Sequence, residues 1–123
     1  MQEIGLRHYA YIGDAVWELF VRERTVYMTL NAAKLHKLTS GKVKASFQAE
    51  LLEQLESEIL TDEEKEIARR GRNLPIPVAR RSIQTEYRKA TAFETLIGWW
   101  YLKDKKRLDE VLQELCKTLK SES

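Results

Sequence analysis

Cysteine, proline, histidine and long apolar runs are all scarce in this 123-residue chain, and each scarcity excludes something. Cys116 is alone, so no internal disulfide can form, and a lone thiol in a reducing compartment is expected to be a small buried hydrophobe. The only prolines, Pro75 and Pro77, fall in one short segment, which leaves the rest of the chain free to be helical. His8 and His36 have no partner at a metal-ligand spacing; both read as surface or packing residues, so neither a histidine zinc site nor a histidine base is expected. No stretch approaches the roughly 18 uncharged apolar residues needed to span a bilayer, and the N-terminus lacks the pattern of a secretory signal. A protein of the cytoplasm, with no membrane partner, is expected. Alternation of period two is also missing, which argues against strands.

What is present is helical periodicity. The 43% apolar content of a chain this long suffices for one core, so residues 1–123 read as a single domain. Leu108, Val111, Leu112, Leu115 and Leu119 form the stripe of a helix over about 105–120. Val43, Phe47, Leu51, Leu52, Leu55 and Ile59 do the same over about 41–60. Thr61 followed by Glu64 is a capping box that starts a short helix, with Gly71 as its left-handed cap. Asn31 caps another short helix through Leu38. A helix over about 6–24 turns Ile12, Ala15, Val16, Leu19 and Phe20 inward. The last, over about 85–102, is apolar nearly all round at Phe93, Leu96, Ile97, Trp99, Trp100 and Tyr101, as befits a central helix or one also used between subunits. The fold class is all-α.

Charge is unevenly spread. The chain totals +2, yet the segment Arg69–Lys89 has seven basic residues (Arg69, Arg70, Arg72, Arg80, Arg81, Arg88, Lys89) against one acid, Glu86, hence +6; the remainder is near −4. A concentrated patch suits a polyanion, because each neutralised phosphate releases a counterion. A solvated loop with incidental arginines is the plainer alternative.

Two acids sit in apolar surroundings. Asp14 follows Gly13 within Tyr-Ile-Gly-Asp-Ala-Val-Trp-Glu, and Glu94 lies within Thr-Ala-Phe-Glu-Thr-Leu-Ile-Gly, where Gly98 permits another backbone to come close. Desolvated carboxylates need a metal or a cation; pairing with an arginine such as Arg88 is at least as good a reading as a shared metal site. Glu18 is four residues from Arg22, a spacing that favours a surface ion pair over a role at a metal.

Ile-Gly-Asp-Ala-Val and Ala-Thr-Ala-Phe-Glu-Thr-Leu-Ile-Gly, with their acids 80 residues apart, resemble the two hallmarks of the ribonuclease III catalytic domain. Together with Arg-Arg-Gly-Arg-Asn at Arg69–Asn73, and with no double-stranded-RNA-binding domain expected to follow, the chain resembles the Mini-ribonuclease III branch from about Gly5 to Leu119. The resemblance implies one catalytic domain of six to seven helices. It implies a homodimeric endoribonuclease that hydrolyses duplex RNA to 5′-phosphate and 3′-hydroxyl ends, with precursor 23S ribosomal RNA as substrate and a ribosomal protein as a candidate helper. It also implies Asp14 and Glu94 as catalytic metal ligands, for magnesium or, in its place, manganese. Larger family members add two acids where this chain has Ala10 and Thr91, so coordination is left more to water and RNA phosphate, and metal affinity without RNA should be weak. The basic segment (Arg69, Arg70, Arg72, Asn73, Arg80, Arg81) becomes an RNA-handling loop. An acid-free stretch, Arg24 to Ala49, extends the track through Lys34, Lys37, Lys42 and Lys44. The rival readings are a noncatalytic protein of the same fold bound to duplex RNA or the ribosome, and a helical module that docks a partner through exposed Trp99 or Trp100.

Overall fold

The apolar stripes become six helices in a computed structural model that describes residues 4–76 and 84–121: α1 (Leu6–Thr25), α2 (Ala32–Val43), α3 (Ala45–Glu58), α4 (Asp62–Arg72), α5 (Gln84–Lys103) and α6 (Lys105–Ser121). Among the described residues there is no strand, and no helix is long and apolar enough to cross a membrane. Both expected caps form. The Asn31 side chain accepts from the Lys34 amide at 2.9 Å. Thr61 accepts from the Glu64 amide at 3.2 Å while Glu64 accepts from the Thr61 amide at 2.9 Å.

Three local expectations are corrected. α2 continues through Gly41 to Val43 and breaks at Lys44, whose extended backbone (φ −71°, ψ 154°) serves as the N-cap of α3, so Val43 belongs to the earlier helix. Gly71 is not a left-handed cap: α4 runs on to Arg72, Asn73 is the C-cap, and no described glycine has positive φ. The reason is tertiary, because a Cβ on Gly71 would lie 2.9 Å from Thr95 Oγ1 and 3.2 Å from the Ala92 Cα. Finally, the inward face of α1 is Tyr9, Gly13, Trp17, Phe20 and Val21, while Ala15 and Leu19 face outward. Gly13 lets that side approach a neighbouring backbone, and the large Trp17 then buries more apolar surface than Leu19 would.

α5 is the central helix, packed by α1, α3, α4 and α6. Ala92, Phe93, Leu96, Ile97 and Trp100 on it are fully buried, with Trp17 edge-on to Phe93 at 5.0 Å and stacked with Phe20 at 5.3 Å. Trp100 is therefore no docking anchor, and Trp99 is only partly exposed. Cys116 is partly buried against the core rather than fully enclosed.

A polar knot locks α4 to α5 and α6. The buried Glu64 carboxylate accepts from Arg107 Nε and a terminal guanidinium nitrogen, both at 2.8 Å, and from Trp100 Nε1 at 2.9 Å. Burial alone would raise the Glu64 pKa, but these donors and the Thr61 amide outweigh it and hold the carboxyl below its ordinary range.

Candidate active site

The site is made by a helix crossing. A Cβ on Gly13 would stand 1.8 Å from the Glu94 carbonyl oxygen, and one on Gly98 would stand 1.8 Å from the Tyr9 carbonyl oxygen. Only two glycines allow α1 and α5 to meet this closely. The next residue along α1 is Asp14, and the carbonyl that Gly13 touches belongs to Glu94, so the two sequence-distant acids become neighbours.

Their carboxyl groups hydrogen-bond to each other. Asp14 is exposed and Glu94 half-buried, a wetter setting for Asp14 than the flanking apolar residues suggest. Burial, then the hydrogen bond to Asp14 and its negative charge, push the Glu94 carboxyl up to about 9; the Gln48 amide works against them. Without a cation, Glu94 thus keeps its proton at neutral pH and donates toward Asp14. Among the described residues neither acid has an ion pair. Arg88, the arginine that offered the alternative explanation, donates instead to the carbonyls of Arg72 (3.0 Å) and Leu74 (3.5 Å). Glu18 pairs with Arg22 at 3.0 Å, as its spacing suggested.

Two carboxylates pressed together without a cation suit a hard divalent ion such as magnesium, which takes oxygen ligands and is commonly held by one or two carboxylates plus phosphate and water. No group of three or more His, Cys, Asp or Glu side chains able to hold a metal occurs among the described residues.

Gln48 is the participant that the sequence reading missed. It is 1% exposed, its Nε2 donates to the Val43 carbonyl at 3.1 Å, and its amide lies near enough to Glu94 to oppose the rise in that carboxyl's pKa. The signal was available: Gln48 is three and four residues before Leu51 and Leu52, a polar group on the apolar face of α3. Close by, Trp17 Nε1 donates to the Lys42 carbonyl at 2.9 Å, so the α2–α3 turn is fastened beside the acids.

The basic candidates divide. Arg69 pairs with Glu66 at 2.7 Å, Arg72 with Glu56 at 2.7 Å, and Lys89 with Glu53. The +6 segment is thus partly neutralised by acids of α3 and α4, which linear counting placed elsewhere. Arg70, Lys42 and Lys44 have no ion pair among the described residues, and Lys42 Nζ sits 5.0 Å from the Phe47 ring centroid. Asn73 is engaged as the α4 C-cap. Arg80 and Arg81 lie outside the described residues.

Helices α1, α3, α4 and α6 pack around the buried α5, and α1 and α5 each bring one acid to their glycine crossing. The Ribonuclease III domain family matches residues 7–105, and the chain belongs to that family, whose members are endoribonucleases acting on double-stranded RNA. Within it the chain falls in the Mini-ribonuclease III branch. It is 45% identical over 106 residues to Mini-ribonuclease 3 of a Synechococcus species, covering 86% of this chain and 76% of that one. It is also 45% identical over 116 residues to Mini-ribonuclease 3 of Gloeobacter violaceus, covering 94% and 84%. A crystal structure of a Fusobacterium nucleatum protein superposes with a TM-score of 0.82 at 30% identity, covering 95% of this chain and 96% of that one.

Proposed function

We propose that this chain is a magnesium-dependent, homodimeric endoribonuclease that hydrolyses both strands of an RNA duplex, leaving 5′-phosphate and 3′-hydroxyl ends, and that it matures precursor 23S ribosomal RNA in the cytoplasm. The single observation that carries the reading is the crossing that sets Asp14 against Glu94 with no cation partner among the described residues. In this reading Asp14 and Glu94 would hold the metal, with both carboxyl groups ionised. Magnesium or manganese, when bound, would supply positive charge to a phosphodiester and its attacking water. Lys42 and Lys44 on the α2–α3 turn, Arg70 on α4, and the Arg80–Arg81 pair would hold the RNA backbone. Contact of this kind reads the shape and charge of an A-form duplex rather than its bases.

Two copies would give one site for each strand. Support comes from apolar surface left open near the start of α1 and the end of α5: Tyr11 is 82% exposed, and Ile4 and Leu102 are also exposed. A groove of about 360 Å³ between Ile4, Leu6, Tyr9, Ile67 and Trp99 continues that surface. Light scattering should give a dimer at micromolar concentration; a monomer would count against this arrangement.

A long RNA duplex incubated with the protein should be cut with magnesium and remain intact in EDTA. Binding without cleavage at any magnesium concentration would favour the noncatalytic reading.

A further inference from the structure

Gln48 occupies a place that a leucine would fill equally well by shape. Its neighbours on α3, Phe47, Leu51, Leu52 and Leu55, are buried core residues. A primary amide there must find partners for two N–H donors and one oxygen, so its presence calls for an explanation in hydrogen bonds. One partner is the Val43 carbonyl, which ends α2 and has no acceptor role within that helix. The neighbouring Lys42 carbonyl is taken by Trp17. Two side chains flanking the acid pair therefore staple the turn that carries Lys42 and Lys44.

We propose that Gln48 is a positioning residue: its amide, anchored on the Val43 carbonyl, fixes the Glu94 carboxylate and holds the Lys42–Lys44 turn in register with it. The inference rests on the reading of Asp14 and Glu94 as the metal-binding pair. Without the amide, Glu94 keeps only Asp14 as a side-chain partner among the described residues and can turn away from the position in which both acids face one cation. Partners of metal ligands have this effect generally, because they set the ligand's orientation before the metal arrives.

Gln48→Met keeps the volume and removes the bonds. Manganese binding to the protein on an RNA duplex, followed by the paramagnetic signal of the free ion, should weaken by about 10- to 100-fold, with kcat falling similarly and KM for duplex nearly constant. Unchanged manganese affinity together with unchanged kcat overturns the proposal. Glu94→Gln measured beside it separates the two readings. If Glu94→Gln binds manganese as well as the parent, the metal site itself is wrong; if it loses binding and Gln48→Met does not, only the role of Gln48 fails. A second measurement needs no core variant: the Gln48 side-chain amide resonances of the parent should shift as magnesium is titrated in. Resonances indifferent to magnesium overturn the proposal even if Gln48→Met does not fold.

Discussion

Gly13 and Glu94 meet backbone to backbone: the space for a Cβ at Gly13 is already taken by the Glu94 carbonyl oxygen, 1.8 Å away. Fold and site therefore share one contact. Any side chain at Gly13 or Gly98 must push α1 off α5 and separate Asp14 from Glu94.

Gly13→Ala and Gly98→Ala should each cost about 3 kcal/mol or more, the upper end of what overpacking does, because the obstacle is backbone and cannot rotate away. That corresponds to a melting point lowered by roughly 10 °C or more. Gly41→Ala is the control. Nothing lies within 4 Å of its added Cβ, and it sits in α2, so stability should rise by about 0.5 to 1 kcal/mol. Thermal melts of the three variants check this; equal effects would contradict the crossing.

Helix placement was readable because amphipathic periodicity and side-chain caps are local: the Thr61–Glu64 box and the Asn31 cap sit where the sequence puts them. Features decided by tertiary contact were not readable. Gly71 looks like a cap until α5 is laid across it, and Ala15 and Leu19 look buried until Gly13 sets the rotation of α1. The acids were legible through their motifs. Gln48 and the neutralisation of Arg69, Arg72 and Lys89 depend on which helices become neighbours.

Glu64 shows the same limit, since its cap is local but its bonds to Trp100 and Arg107 span 36 and 43 residues. Its folded pKa lies below the ordinary 4.5, so its stabilisation is complete above that value and is lost as pH falls through the folded pKa. Glu64→Gln should cost roughly 2 to 4 kcal/mol at neutral pH, somewhat less than a fully enclosed pair because Arg107 keeps a fifth of its surface in water. The difference from the parent should shrink in acid. Melts from pH 7 down to 3 test it, and a constant difference would contradict it.

RNA affinity should respond to the unpaired cations and not to the paired ones. Lys42→Ala, Lys44→Ala and Arg70→Ala should each weaken duplex binding and lower the salt slope by about 1. Arg69→Ala, with its charge already matched by Glu66, should do less. Binding titrations across salt concentrations decide; a larger effect at Arg69 would move the RNA track.

The most direct test is the acid pair itself, with cleavage, duplex binding and melting measured on Asp14→Asn and Glu94→Gln. Each change keeps shape and denies the metal one carboxylate charge, so cleavage should vanish while duplex binding persists. The metal-free melt also has a predicted sign. The Glu94 pKa is raised from 4.5 to about 9, so the folded chain keeps a proton that the unfolded chain has released across that window, and stability falls as pH rises through it. Glu94→Gln should flatten that decline and melt no lower than the parent at pH 8. Lost cleavage with retained binding and an undiminished melting point is the expected result. Cleavage retained by either variant, or a large fall in melting point, would contradict the assignment of Asp14 and Glu94 as a metal-binding pair.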